Sequence, residues 1–302
     1  MSSKISQAGS GLAALTAGAA VLGLSPILVR LADVGPVAIG FWRLTLALPI
    51  LLIWHLIARR RQPAQMEPKP KSAPWVLFLS GLLFSGDLGF WHVSLQHTSV
   101  ANSIFLLSAA TPLFATIGGR IFLGQTIGRW FVAGMLVCIV GVALLVSGRA
   151  GLGQGEWLGD ALSVLAGVFF ASYLVALAKC RQVYSVSAIS LYSTLSTTIV
   201  LLPLSIILGE TVIPQSAGGW IDLAALGLLC QAAGQTLLAF GLAFVTAGLS
   251  SLIMLLEPVI SLIVAWPVLG EVPQAMQLLG SVAILFGIWL ARRGSAPEPA
   301  LP

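Results

Sequence analysis

The sequence predicts an all-α integral membrane protein whose ten transmembrane helices form two inverted five-helix repeats. Hydrophobic residues make up 58% of the 302 residues and charged residues only 8%, and the mean hydropathy is +1.00. A soluble domain carries about 25% charged residues, so the composition is that of a membrane protein. The chain also divides into ten apolar segments, and its second half repeats its first.

The repeat has a fixed offset of 146 residues. Four landmarks keep this spacing: Thr111-Pro112 aligns with Glu257-Pro258, Leu123-Gly124 with Leu269-Gly270, Gly134 with Gly280, and Gly141 with Gly287. The apolar segments of the two halves also coincide at this offset. We therefore predict two domains, residues 1–150 with spans 1–5 and residues 151–302 with spans 6–10. Internal repeats of sequence and hydropathy are typical of secondary transporters.

Each apolar segment is long enough to cross the hydrocarbon core, which needs about 20 residues per helix. The ten spans are predicted near residues 11–32, 36–58, 73–95, 98–119, 127–147, 157–178, 185–208, 219–243, 246–268 and 274–291. The first run exceeds the 7–15 apolar residues of a signal peptide, so we expect it to be retained, with cleavage near residues 17–19 as the alternative. The longest loop, residues 59–71, is basic and rich in proline.

The basic residues indicate the orientation. With both termini cytoplasmic, twelve Lys and Arg residues fall inside and two, Arg30 and Arg149, fall outside. This bias agrees with the positive-inside rule, and we predict the cytoplasmic (inner) membrane of a bacterium. Because five spans per repeat is an odd number, the two halves insert in opposite orientations. Inverted repeats of this kind support alternating access.

Several function classes are disfavoured. The pI near 9.5 does not indicate a nucleic-acid partner, because the basic residues lie in short loops between apolar runs. Cys138, Cys180 and Cys230 are scattered along the chain, so neither a disulfide framework nor a metal site is expected. No lysine follows a glycine, as a nucleotide-binding Walker motif would require. We expect no cofactor and no bound metal.

Five stretches resemble EamA-type transporters of the drug/metabolite transporter superfamily. They are residues 35–44 (GPVAIGFWRL), residues 98–125 with TSVANS, TPLF and FLGQ, residues 159–174, residues 257–271 with EPVI and LGE, and residues 278–287 (LLGSVAILFG). The resemblance covers nearly the whole chain and implies a ten-span carrier of amino acids, other metabolites or drugs, mostly directed outward. Two departures are Gln125, where the family's first repeat usually has Glu, and Pro267 near the end of span 9.

Three charged residues lie inside predicted spans and away from the span ends: Arg43, Asp87 and Glu257. Charges at the centre of a helix cost about 2.5–3.5 kcal/mol on insertion scales, so they point to function by default. Arg43 and Asp87 lie at similar depth, and they either neutralise one another or act on substrate, with Arg43 binding a carboxylate through its fork of donors. A purely structural or snorkelling arginine is the alternative.

Glu257 is the strongest candidate for substrate contact or protonation. It lies near the midplane of span 9, and Pro258 weakens the helix directly after it. Freed carbonyls at membrane depth are tolerated where they line a cavity. The alternative is a structural, protonated glutamate that bonds a neighbouring helix. The offset places Thr111 at the corresponding position of the first repeat, so this carboxyl makes the predicted site asymmetric.

Four further residues are candidates for the transport pathway. Trp91 follows Asp87 by one turn on span 3, where the pair suits a cationic or aromatic group, or Trp91 is an interfacial belt residue. Gln231 and Gln235 on span 8 and Asn102 on span 4 would hydrogen-bond a substrate, or would join helices instead. The paired glycines of spans 5 and 10 are predicted to pack those helices closely.

The combined prediction is a secondary active transporter, an exporter of a small polar or amphipathic metabolite such as an amino acid, that works by alternating access. Proton coupling is a hypothesis that depends on Glu257 alone. Expected partners are a small-molecule substrate, membrane lipid and, under that hypothesis, protons. The alternatives are a drug or multidrug efflux carrier, a channel, or a membrane enzyme. An enzyme would need a nucleophile–base pair or a metal cluster at membrane depth, and we predict no catalytic residue.

Overall fold

The computed structural model describes residues 2–61, 75–147 and 156–294, and no strand lies among them. The helices are α1 Ser2–Leu22, α2 Ser25–Leu31, α3 Pro36–Arg61, α4 Trp75–Ser94, α5 Val100–Leu123, α6 Arg129–Ser147, α7 Trp157–Cys180, α8 Val186–Ile207, α9 Ala217–Ala225, a π-helix Leu226–Gln235, α10 Thr236–Gly241, α11 Ala247–Met254, α12 Leu256–Leu269 and α13 Ala275–Gly294. Most of the basic loop at residues 59–71 and Arg149 lie outside the described residues.

The ten predicted spans are confirmed: ten helical segments are long and apolar enough to cross a membrane. Helices α3 to α8 and α13 are each one span. The other three spans are composite: Gly9–Leu31 joins α1 and α2, Ala217–Gly241 joins α9, the π-helix and α10, and Ala247–Leu269 joins α11 and α12. Large apolar side chains such as Ile53, Ile121 and Ile207 are exposed on the outside of the bundle, as a lipid-facing surface requires.

Two of the composite spans break at a proline. Helix α1 ends at Leu22, four residues before Pro26, and α11 ends at Met254, four residues before Pro258. A proline has no N–H to donate to the carbonyl four residues earlier, and its ring clashes there. The predicted weakening of span 9 is therefore confirmed as an interruption at Leu255, beside Glu257.

The packing of the two halves follows a regular pattern. Span 5 packs on its counterpart, span 10, and span 2 packs on its counterpart, span 7. Spans 3 and 4 pack on span 6. Their counterparts, spans 8 and 9, pack on span 1 in the same way. Each pairing has a counterpart in which the two halves exchange roles, which is the pattern that a twofold relation would produce. The inverted orientation and the division at residue 150 stay predictions.

Spans 5 and 10 form the tightest helix pair, and the predicted glycine packing is confirmed. A Cβ atom on Gly141 would lie 2.8 Å from the Ile284 nitrogen and 2.9 Å from the Gly280 oxygen. A Cβ on Gly287 would lie 2.7 Å from the carbonyl oxygen of Gly134. Only glycine allows these backbones to approach so closely.

Loops on the predicted outer face join spans 1, 2, 7 and 8. The Glu210 carboxylate accepts hydrogen bonds from the backbone nitrogens of Val37 at 3.1 Å and Ala38 at 2.8 Å. Asp33 accepts from the backbone nitrogen of Ser216 at 2.9 Å. Glu210 thereby caps the N-terminus of α3, where unbonded N–H groups and the helix dipole favour a negative charge.

Candidate transport site

Spans 4 and 9 meet at one end of the bundle and diverge towards the other. At the end that the charge count predicts to be cytoplasmic, α5 contacts α11, and a Cβ on Gly248 would lie 2.6 Å from the Thr116 hydroxyl oxygen. Towards the opposite end α12 packs on α1 and α2, where Glu271 forms an ion pair of 2.5 Å with Arg30. Spans 4 and 9 are therefore further apart at the predicted outer face than at the predicted cytoplasmic face.

Glu257 connects the three intramembrane charges. Glu257 is close enough to interact electrostatically with Arg43, and Asp87 with Glu257. Asp87 is only 7% exposed, whereas Arg43 and Glu257 are half-buried. Helices α3, α4 and α12 each contribute one of these charges. The role of Arg43, Asp87 and Glu257 in substrate binding stays a prediction.

Arg43 forms no salt bridge among the residues that the structure describes. Its Nη1 atom donates a hydrogen bond to the Ser25 hydroxyl at 3.2 Å, and its buried Nε has no partner. Of the two alternatives for Arg43 and Asp87, a direct ion pair is therefore not the arrangement seen here. The guanidinium keeps donor capacity for a further acceptor.

The interrupted spans surround these charges. A Cβ on Gly23, in the break of span 1, would lie 3.0 Å from the Glu257 carbonyl oxygen. A Cβ on Gly227, in the π-helix, would lie 3.0 Å from the Arg43 carbonyl oxygen. Ser25 reaches Arg43 because α2 restarts there after the break. Irregular backbone at membrane depth is tolerated where it is buried in protein or lines a cavity.

Gln231 and Gln235 lie in a different part of the pathway. Together with Tyr173, Ser193 and Thr194 they line a small cavity of about 10 Å³ between α7, α8 and span 8. Gln231 donates to the Thr194 hydroxyl oxygen at 3.0 Å, and the Tyr173 hydroxyl donates to Gln235 at 3.4 Å. These contacts place both glutamines in the half of the bundle nearer the predicted cytoplasmic face.

Asn102 joins two helices. Its amide donates to the Asp160 carboxylate at 2.5 Å, and the Thr98 hydroxyl donates to the same oxygen at 2.8 Å. Asp160 is in the first turn of α7 and Asn102 in the first turn of α5. Since these contacts hold spans 4 and 6 together near the predicted outer face, they favour the interhelical alternative over a substrate contact.

Trp91 packs edge-on against His92, with ring centroids 4.9 Å apart. It is half-buried near the end of α4, one turn beyond Asp87. The cation–π contacts within the described residues involve Trp130 and Trp289 instead. The surroundings of Trp91 fit the interfacial alternative at least as well as substrate binding.

Sequence reasoning missed Ser25, Tyr173, Ser193 and Thr194. Tyr173 links the two parts of the site, because it lines the cavity and interacts electrostatically with Arg43 and Asp87. A signal was present in span 7, which carries many Ser and Thr residues. Such hydroxyls usually bond their own helix, so their number alone does not show which ones face a cavity.

Similar proteins agree with this architecture. The uncharacterized transporter YdfC of Bacillus subtilis (strain 168) is 27% identical over 84% of this chain and 80% of its own. A probable terminal-alkyne amino-acid exporter of Streptantibioticus cattleyicolor is 29% identical over 64% of each chain. A solved crystal structure superposes with a TM-score of 0.78 over 94% of this chain and 98% of its own, at 19% identity, which shows a shared fold.

The model of the EamA-like transporter family matches residues 9–147 and again residues 157–293. Together these matches span nearly all of the ten-helix bundle, including Arg43, Asp87 and Glu257. The chain belongs to the EamA-like transporter family.

Proposed function

We propose that this transporter exports a small zwitterionic metabolite of the amino-acid class across the bacterial cytoplasmic membrane by alternating access. The observation that carries the proposal is that Glu257 interacts with both Arg43 and Asp87 while Arg43 forms no ion pair within the part of the chain that the structure describes. Intramembrane charges that are not paired to each other are costly. A substrate that bears both charges would offset that cost.

Each substrate group has a complementary partner in this arrangement. A carboxylate would accept hydrogen bonds from Arg43, whose Nε is buried without a partner and whose planar fork suits a carboxylate. An ammonium group would bind Asp87 or Glu257. The amino-acid exporter among the relatives supports this substrate class, and the family resemblance supports outward transport.

Proton coupling would follow from the number of charges. With both carboxylates ionised, two negative charges face one guanidinium, so the group carries a surplus negative charge. A zwitterion brings no net charge, so a proton on one carboxyl is what removes the surplus, and charge at membrane depth is expensive. Because a proton and the substrate ammonium would compete for the Glu257 carboxylate, a proton on Glu257 would alternate with the ammonium, which links export to the inward movement of protons.

Counterflow in proteoliposomes tests the proposal. Wild-type protein is reconstituted with a pooled amino-acid panel, exchange is read by mass spectrometry, and Glu257→Gln is compared with Glu271→Gln. Glu271 lies two residues beyond the end of the same span, where its carboxylate binds Arg30. We expect saturable exchange of at least one amino acid that is lost in Glu257→Gln and kept in Glu271→Gln.

Two results would contradict the proposal. If no amino acid exchanges in the wild type, the substrate class is wrong. If Glu257→Gln exchanges as well as the wild type, the carboxyl has a structural role. A pH gradient imposed on the same liposomes tests the coupling separately, because uptake that does not respond to the gradient would exclude proton exchange.

A further inference from the structure

The cavity beside the π-helix contains a polar atom whose hydrogen bonding is incomplete. Gln231 is 4% exposed, and its Oε1 atom is buried without a partner although its Nε2 binds Thr194 at 3.0 Å. Gln235, on the same wall, accepts a bond from Tyr173 at 3.4 Å, which is longer than a strong O–H···O bond. A buried amide oxygen left unpaired is unfavourable, so a ligand group that donates a hydrogen bond would be stabilised here.

The lining of the cavity is polar but carries no carboxylate, guanidinium or ammonium. Its polar members are Tyr173, Ser190, Ser193, Thr194, Gln231 and Gln235, and the remainder are apolar. Hydroxyls and amides select neutral groups that both donate and accept hydrogen bonds. The cavity has a volume of about 10 Å³, which is room for about one water-sized group, so it suits a single small polar group at the end of a substrate.

The cavity is linked to the three charges through Tyr173 and the π-helix. Tyr173 lines it and also interacts electrostatically with Arg43 and Asp87. Thr194 and Gln231 are contributed by α8 and the π-helix, and that π-helix also packs on α3 next to Arg43. π-Helical segments are rare and occur often at functional sites.

We propose that this cavity is a side-chain subsite that binds the uncharged, hydrogen-bonding end of the substrate, a hydroxyl or a carboxamide. The inference rests on the proposed function, in which the charged ends of an amino acid bind Arg43, Asp87 and Glu257. The subsite makes hydroxyl- and amide-bearing amino acids better substrates than their apolar counterparts of the same shape. Gln231 is the residue that distinguishes them.

Competition in the counterflow assay tests the subsite with matched probe pairs. L-Threonine and L-valine differ by a hydroxyl in place of a methyl, and L-glutamine and L-methionine differ by a carboxamide in place of a thioether. Gln231→Met keeps the side-chain length and removes the amide. Thr194→Val keeps the shape and removes the hydroxyl that holds Gln231. Thr198→Val is the control, because Thr198 bonds the Thr194 carbonyl of its own helix and does not line the cavity.

We expect the wild type to prefer the polar member of at least one pair by about tenfold, the range of one or two neutral hydrogen bonds. Gln231→Met and Thr194→Val should reduce that preference to within about twofold by weakening the polar member alone. Thr198→Val should keep it. The preference is a ratio within each variant, so a reduced amount of folded protein does not imitate the result.

Three outcomes would overturn the subsite. Equal competition by both members of both pairs in the wild type would mean that the cavity holds only water. An unchanged preference in both Gln231→Met and Thr194→Val would place the selecting groups elsewhere. If the wild type exchanges no amino acid, the proposed function fails and the subsite falls with it, whereas exchange without discrimination overturns the subsite alone.

Discussion

The Oε1 atom of Gln125 accepts a hydrogen bond from the backbone nitrogen of Ala247 at 3.2 Å. This bond joins the turn between spans 4 and 5 to the first turn of α11. The residue at the 146-residue offset, Glu271, binds the Arg30 side chain instead. The two related turns thus have different partners, and the bundle is closed by Gln125 at the end where spans 4 and 9 meet.

Replacing Gln125 with leucine should loosen this closure. The substitution leaves the buried nitrogen of Ala247 without its acceptor, and a lost hydrogen bond is worth about 0.5–1.5 kcal/mol. We expect hydrogen–deuterium exchange in residues 246–250 to rise by roughly 2–10-fold on that basis. Thr126→Val, at an exposed neighbour in the same turn, should leave exchange unchanged. Equal protection in Gln125→Leu and the wild type would show that other contacts hold the closed end.

Removing the carboxylate that caps span 2 should destabilise the fold. Glu210 accepts from two backbone nitrogens at the start of α3, and losing a helix cap costs about 0.5–2 kcal/mol. We expect Glu210→Ala to lower the Tm in detergent by a few degrees. Glu210→Gln, which keeps one acceptor oxygen, should lower it less. If both variants have the same Tm as the wild type, the cap that Glu210 forms does not contribute to stability.

Acidification should weaken the contact between Asp33 and Ser216, which joins two loops on the predicted outer face. Hydrogen bonds, foremost from the Ser216 side chain, hold the pKa of Asp33 below its ordinary value of 3.8. A lowered folded pKa means that the stabilisation is present above 3.8 and is lost as the pH falls through the folded value. We expect the wild type to lose more thermal stability than Asp33→Asn between pH 5 and pH 3. If the wild type and Asp33→Asn lose the same thermal stability over this pH range, Asp33 does not contribute to the pH dependence of stability.

The number and bounds of the spans could be predicted because a helix in lipid must be apolar over its whole length. The charges Arg43, Asp87 and Glu257 could be found for the same reason, since they violate that rule. Tyr173 and Thr194 do not violate it. Whether such side chains face a cavity depends on the rotation of each helix, which packing determines. The π-helix at Leu226–Gln235 has no local sequence signal comparable to Pro26 or Pro258.

A methyl group at the contact of spans 5 and 10 should destabilise the bundle. A Cβ on Gly141 would meet backbone atoms of Ile284 and Gly280 at 2.8–2.9 Å, so the helices must move apart, at a cost of about 1–3 kcal/mol. We expect Gly141→Ala to lower the Tm by several degrees. Gly9→Ala is the control, since nothing lies within 4 Å of its Cβ position. If Gly141→Ala has the same Tm as Gly9→Ala, spans 5 and 10 can move apart without a loss of stability.

Arg43 provides the sharpest distinction between substrate binding and a structural role. Its Nη1 binds Ser25 at 3.2 Å while its Nε stays without a partner. Lysine would keep the positive charge but has one nitrogen and no planar fork, so it cannot bind Ser25 and a carboxylate together as arginine can. If Arg43 binds substrate, Arg43→Lys should raise the KM for counterflow by about tenfold or more, as expected for a lost charge-assisted hydrogen bond, with little change in Tm. If Arg43 only balances the two carboxyls, Arg43→Lys should transport normally, and Arg43→Gln should lower the Tm because it leaves the negative charges without a cation. Measuring KM and Tm for both variants therefore decides between the two roles.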